Sequence, residues 1–439
     1  MNDNSVKVKI WGELVGLASI SPSGAISFEY DSDFKKLNWE LAPLKLPTHL
    51  AKTIFTFPSL HKNGNTELDT FKGLPGLLAD SLPDKYGSQL INNWLANQGR
   101  SPDSMNPIEM LSFIGNRGMG ALEFEPSILN QNANPTSIEI EKLVKVSHEL
   151  IHKSEASIIR STSIDEKQFE QLIEISTSVG GARPKALIAY NEKTGEMKSG
   201  IANAPHGFDQ WLIKLDSVSD IQLGASIGYG RVEMAYYNMA VSCGIEIMPS
   251  RLLEESGRAH FMTKRFDRDG SDTKHHIQTL CALTHFDFNR VTSYSYEQVF
   301  SIMKDLNISN HDIEQMFRRM VFNVMARNCD DHTKNFSFRL KKDGAWELAP
   351  AYDLCHAYRP GSEWVSHHAL SINNKRIEIT KEDLLAVGRL VNIENAVEII
   401  EGILRVVAKW KEYAEEVKVD PKLVVSINES LVEQMELHE

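Results

Sequence analysis

The chain has 439 residues, 42% hydrophobic and 24% charged, close to the globular average, which excludes collagen-like, disulfide-scaffold and wholly disordered classes. At roughly 150 residues per domain the length suits about three domains, or two large ones. The balance of 47 basic against 59 acidic residues gives a formal charge of −12, so the net field does not attract a phosphate backbone and autonomous DNA binding is disfavoured.

The four cysteines, Cys243, Cys281, Cys329 and Cys355, are widely spaced and form no CxxC pair, which argues against a disulfide framework or a thiolate zinc site. Neither a basic-then-apolar start nor 18 uninterrupted apolar residues occur, so a cytoplasmic protein with no membrane partner is expected.

In chain order, alternation over 6–30 predicts a small opening sheet, punctuated at Gly12 and at 21–24. Helical periodicity follows over 77–97, with Pro83 and Gly87 expected to split it in two. GMGALEFEP, 118–126, reads as a glycine turn plus a strand, and the polar segment 127–137 as a linker. Helices are expected over 138–153 and 166–175, and strands over 185–190 and 210–215 around the hairpin NEKTGEMKSG. A helix over 231–242 and strands over 245–254 and 258–266 follow. From Ser295 helices dominate, near 295–306, 312–329, 381–390, 393–415 and 421–435, interrupted by two short strands joined at KKDG. The regions are thus 1–127, an accessory part; 128–266, an α/β mixture; and 267–439, mainly helical.

Asp330 and Asn335 in NCDDHTKNFSF stand in a D-x-x-x-x-N arrangement, the spacing of a kinase catalytic loop. Asp33–Asn38 and Asp305–Asn310 share that spacing, so spacing alone decides nothing. Context separates the third case: an apolar helix with Phe317, Val321, Val324 and Met325 leads in, a strand ribbon leads out, and Asp353 follows in APAYDL. Phosphoryl transfer needs oxygen ligands for magnesium, here Asn335 and Asp353, and a carboxylate for the attacking hydroxyl, here Asp330. His332 and Lys334 would shape the loop or meet phosphate charge. The same segment also reads as a polar, helix-ending turn whose carboxylates cap backbone amides.

Upstream, STSVGGARPKALIAY offers Gly180, Gly181 and Ala182 as a phosphate-wrapping turn, with Lys185 entering the next strand, or as an ordinary glycine turn. Lys214, in the strand QWLIKLDS, wants a counter-charge, and Glu233 on the next helix can supply it. Otherwise Lys214 points to solvent from an edge strand. GASIGYG, 224–230, reads as a lid or a plain loop. MTKRFDR, with Lys264 and Phe266, sits where a two-lobed kinase holds adenine, or is a strand exit. The histidines, including His275–His276 and His367–His368, lack metal-ligand spacing and read as solvent-facing pairs.

SVGGARPK, WLIKLD, KRFDRDG, NCDDHTKNFSF and APAYDL, in this order and spacing, resemble the HipA family of bacterial serine/threonine kinases, toxins of toxin–antitoxin modules. WGELVGLASI, FEYD, DSLPDKYG and MGALEFEP are similar to its amino-terminal region. The resemblance implies an α/β plus α, two-lobed protein-kinase-like fold, with a mixed amino-terminal lobe and a mainly helical carboxy-terminal lobe. It implies ATP and Mg2+ as cofactors, Asp330 as catalytic aspartate, Asn335 and Asp353 as metal ligands, Lys214 as the ATP-phosphate lysine, Lys185 at the end of the phosphate loop, and Ser178 as an inactivating autophosphorylation site. It further implies a HipB-like helix-turn-helix antitoxin, operator DNA contacted mainly through it, and a protein substrate such as an aminoacyl-tRNA synthetase. Arg183–Pro184 depart from the glutamine and acidic residue often found there, and Lys264 stands where an acidic residue is common. Rival readings are an aminoglycoside-type small-molecule kinase and a catalytically weak co-repressor.

Overall fold

A computed structural model describes residues 4–50, 54–60, 69–129, 135–152, 166–177, 183–199, 204–216, 228–270 and 273–436. The opening alternation forms β1 (Ser5–Ile10), β2 (Glu13–Ile20) and β3 (Ile26–Tyr30). Along β1, Val6, Val8 and Ile10 are fully buried while Lys7 and Lys9 face outward, the period-2 pattern of a half-buried strand. With β4 (Ile54–Thr56) and β5 (Leu122–Glu125) these strands make an antiparallel sheet of order β4-β3-β2-β1-β5.

The 77–97 region does split, into Gly76–Ala79 and Lys85–Asn97, but the break lies around Pro83 alone. Gly87 continues the second helix. Its role is steric, because a Cβ there would lie 2.9 Å from the Thr177 carbonyl oxygen.

A second antiparallel sheet has the order β7-β6-β8-β10-β9, with β6 Lys185–Tyr190, β7 Met197–Ser199, β8 Asp209–Lys214, β9 Ser250–Glu255 and β10 Arg258–Lys264. All of β6 is buried, with helix Glu166–Ser176 against it. The expected strand over 245–254 begins only at Ser250, since Ile247 makes a lone bridge to Ala351. Helix Tyr229–Ser242 packs on β9 and β10; Gly230 permits the approach, as a Cβ there would meet the Ala259 oxygen at 2.0 Å.

One apolar cluster joins the inner faces of these two sheets, from Val6 and Phe28 to Trp211 and Met262. A second gathers the helical part, where Asn310–Met325 lies against Ala396–Val407 and Pro421–Met435. The expected helix over 393–415 is two helices, Ala396–Val407 and Trp410–Glu416. A three-stranded ribbon, His276–Thr279, Ser337–Leu340 and Trp346–Leu348, carries the chain away from the Asp330 loop.

The histidine pairs are not solvent-facing. His275, His276 and His368 are buried, each given a partner: Asp269 at 2.7 Å, the Leu41 carbonyl at 3.0 Å and Asp331 at 2.9 Å. Such partners make their burial tolerable.

Candidate active site

Lys214 ends β8, which lies between β6 and β10 and is therefore not an edge strand. The sheet register sets Lys185 directly opposite Lys214, so two amines share one end of the sheet. The Lys214 amine bonds the carboxylates of both Glu233 and Asp353. Burial alone would lower the Lys214 pKa, but Asp353 and Glu233 outweigh it and keep the amine charged. Burial would likewise raise Asp353; Lys214 and Lys185 hold its carboxyl well below the usual range instead. Glu233, more deeply buried, is shifted upward by desolvation against the pull of Lys214. Loss of water also lowers Lys185.

Asp353 sits at φ 57°, the left-handed region that aspartate tolerates better than most side chains, at a cost on the order of 1 kcal/mol. Beside it, Tyr352 stacks on Phe266 at 5.6 Å and donates to the Lys334 carbonyl at 2.7 Å. The segment carrying Asp353 is thus tied to the segment carrying Asp330.

Helix Asn310–Met325 delivers the chain to the Asp330 loop, which its neighbour Asp331 anchors from below. Asp331 is buried and accepts from Tyr296 Oη at 2.9 Å, Ala369 N at 2.7 Å and His368 Nδ1 at 2.9 Å. Burial would lower His368, but Cys329 and Asp331 outweigh it and push the imidazole up to about 10. With Asp331 turned inward, the half-exposed Asp330 is left at the loop surface. Desolvation raises its pKa above the ordinary aspartate value; His332, 3.6 Å away, opposes this, and the charges of Asp353 and Asp331 add to it.

Asn335 Nδ2 donates to the Asp330 carbonyl at 2.6 Å, leaving Oδ1 as the acceptor end of that amide. An ionised Asp353 carboxylate and an amide oxygen are the hard donors that magnesium prefers, so this residue set fits the ion.

The structure brings together Lys185, Lys214, Asp330, His332 and Asp353, whose charges act on one another. Asn335 joins them through Asp330. Lys334 instead bonds Asp84 of the first region, with its amine 4.6 Å over the Phe288 ring. Lys264 Nζ pairs with Asp209 at 2.9 Å, three residues along β10 from the position opposite Lys214. Ser178, Gly180, Gly181, Ala182 and most of the expected lid, 224–227, lie outside the described residues.

Sequence reasoning gave no role to Asp331, Asp84 or Asp267. Asp267 is buried between Arg265 and Arg268, which outweigh desolvation and hold its carboxyl far below the usual range. It accepts from Gly120 N at 2.7 Å, and Arg268 donates to the Gly120 carbonyl at 2.9 Å. Much of KRFDRDG therefore fastens the first region to the second sheet. The density of alternating charge in KRFDRDG was its one available signal.

A strand lysine clamped by a helix glutamate and a loop aspartate, facing a second aspartate and an asparagine, is a residue set suited to binding an anionic, metal-chelated group. The description "HipA N-terminal domain" matches residues 6–125 and "HipA-like C-terminal domain" matches residues 177–436. The chain belongs to the HipA family. Among solved structures, it is similar to HipA of Shewanella oneidensis MR-1, described as a toxin–antitoxin system HipA, HipB and operator DNA complex. That match covers 99% of this chain and 97% of that one, at 17% identity and TM-score 0.66, so the fold is shared end to end. The Helicobacter pylori proinflammatory kinase CtkA aligns with 51% of this chain and 91% of its own, at 11% identity and TM-score 0.30, too low to bear on the fold. Among the described residues, no helix is long and apolar enough to cross a membrane.

Proposed function

We propose that the chain is a Mg-ATP-dependent serine/threonine protein kinase and the toxin of a toxin–antitoxin module. In this reading it phosphorylates a cytosolic protein of translation, such as an aminoacyl-tRNA synthetase, and inactivates itself at Ser178. The observation that carries the reading is the Lys214 amine held at once by Glu233 and Asp353. A buried strand lysine paired with a helix glutamate and a loop aspartate is the kind of set that meets nucleotide phosphates and their metal in kinases, and it supports this reading.

Lys214 and Lys185 would receive phosphate oxygens at the sheet end. Asp330, exposed at the loop surface, would orient the substrate hydroxyl and accept its proton as the oxygen attacks phosphorus. Magnesium held by Asn335 and Asp353 would supply neutralisation of phosphate charge. The proposed regions are an accessory part to residue 127, a nucleotide-binding lobe to 266 and a catalytic helical lobe beyond. A HipB-like antitoxin would supply most of the DNA affinity, in keeping with the charge of −12.

The test is intact mass before and after incubation with Mg-ATP, beside Asp330→Ala. A phosphate-sized gain in wild type alone, mapped to Ser178, is expected. An unmodified wild-type protein that gains nothing and consumes no ATP overturns the reading.

A further inference from the structure

Resting on the kinase reading above, we propose that Arg183 is a built-in cation for the terminal phosphate of ATP, its guanidinium carried on the Tyr229 ring and free to meet the phosphoryl oxygens during transfer.

Three placements support this. Arg183 lies two residues before Lys185, and the intervening Pro184 carbonyl accepts from Leu215 N at 3.0 Å, so the chain leaves the sheet at the end that holds Lys185 and Lys214. The guanidinium carbon stands 4.8 Å from the centre of the Tyr229 ring. Tyr229 precedes Glu233 by four residues in helix Tyr229–Ser242, so the ring under Arg183 and the carboxylate holding Lys214 are one turn apart on the same helix face.

Its bonding separates it from the neighbouring cations. Lys214 is held by two carboxylates and Lys334 by Asp84, while Lys185 is deeply buried. Arg183 is half-buried and, among the described residues, makes no hydrogen bond or ion pair; its guanidinium lies over the Tyr229 face. Stacking fixes the plane of a guanidinium while leaving its edge N–H groups unspent, and that fork matches two phosphoryl oxygens. The carboxylates Glu233, Asp330 and Asp353 outnumber Lys185 and Lys214 around the site, so a further cation favours entry of an anion. An arginine supplied in this way acts most strongly where charge spreads over the transferring group.

The test uses the full chain with Arg183→Ala and Arg183→Lys. Three quantities are read: affinity for Mg-ADP, affinity for the Mg complex of a non-hydrolysable ATP analogue, and the single-turnover rate of ADP formation. Arg183→Ala is expected to keep Mg-ADP binding within about threefold, to weaken the triphosphate by about 10-fold, the loss of a charge-assisted hydrogen bond, and to slow turnover by on the order of 10²-fold or more. Arg183→Lys should recover part of the affinity and less of the rate, because it keeps the charge without the fork. Equal loss toward both nucleotides, or turnover within threefold of wild type, overturns the proposal and leaves the kinase reading standing. A wild-type chain that neither binds nor consumes ATP overturns both.

Discussion

In the proposed reaction Asp330 is the base, and its surroundings would set a pH dependence. A general base must be ionised, so activity should rise with pH through the Asp330 pKa and fall below it. Desolvation raises that pKa, opposed by His332, so the acid limb of kcat/KM is expected above the ordinary aspartate value of about 3.9. Replacing His332 by Gln removes the group that opposes this rise and should move the limb further up; a limb unmoved or lowered would contradict this electrostatic account. Asp330→Asn should lower phosphoryl transfer by about 10²–10⁴-fold with an unchanged thermal midpoint. Asp330, Asn335, Asp353 and Lys214 were legible as candidates because each lies in a short motif with its own chemical logic, and Glu233 because Lys214 wants a counter-charge on the next helix. Asp331 was not, since its partners Tyr296 and His368 lie 35 and 37 residues away and nothing local distinguishes an anchoring aspartate from its neighbour Asp330.

Among elements, helix Tyr229–Ser242 decides whether Glu233 reaches Lys214, and Gly230 decides where that helix lies. A methyl group at Gly230 would sit 2.0 Å from the Ala259 carbonyl oxygen, so the helix must shift away from β10. Overpacking typically costs about 1–3 kcal/mol. Gly230→Ala should therefore lower stability to urea by at least that much and also lower transfer, because the shift draws Glu233 from Lys214. Full activity in a folded Gly230→Ala protein would show that the helix position is not what holds the pair. Such close approaches explain where the reading of elements succeeded and failed. Periodicity located β6, helix Lys381–Leu390 and helix Pro421–Met435 at their observed bounds. It misread Gly87 as a breaker because a Cβ there would meet both the Pro83 ring and the Thr177 carbonyl, and the second is a tertiary neighbour that local pattern cannot register. The two-residue strands Tyr294–Ser295 and Leu370–Ser371 are too short to carry any period.

For the whole molecule, the question is how the first region is joined to the candidate site. Asp267 is one fastening. Its folded pKa lies below the unfolded value, so its stabilisation is present above about pH 4 and fades as pH falls further. Asp267→Asn leaves Arg265 and Arg268 buried without their carboxylate and should cost about 3–5 kcal/mol at neutral pH. In urea unfolding, the gap from wild type should narrow below pH 4, and a pH-independent gap would argue against an ionic origin.

The other fastening reaches the Asp330 loop itself. Gly76 N donates to His285 Nε2 at 3.0 Å, Asp80 accepts from Thr279 N and Oγ1 at 2.7 and 2.8 Å, and Asp84 holds Lys334, four residues after Asp330. Gly87, three residues later, packs against Thr177, the residue before Ser178. A single segment of the first region thus abuts both the Asp330 loop and the end of helix Glu166–Ser176 at Thr177, so its displacement would disturb both. Lys334 and Asp84 are each mostly buried, and the carboxylate outweighs desolvation to raise the Lys334 pKa. A double-mutant cycle of Asp84→Asn and Lys334→Met, followed by urea unfolding, should give a coupling of about 1–3 kcal/mol. Asp84→Asn alone should slow transfer while leaving nucleotide affinity near wild type, because it loosens the loop bearing Asp330 without touching Lys214. Strict additivity in the cycle, together with an unaltered transfer rate, would mean that the first region rests on the catalytic loop without governing it.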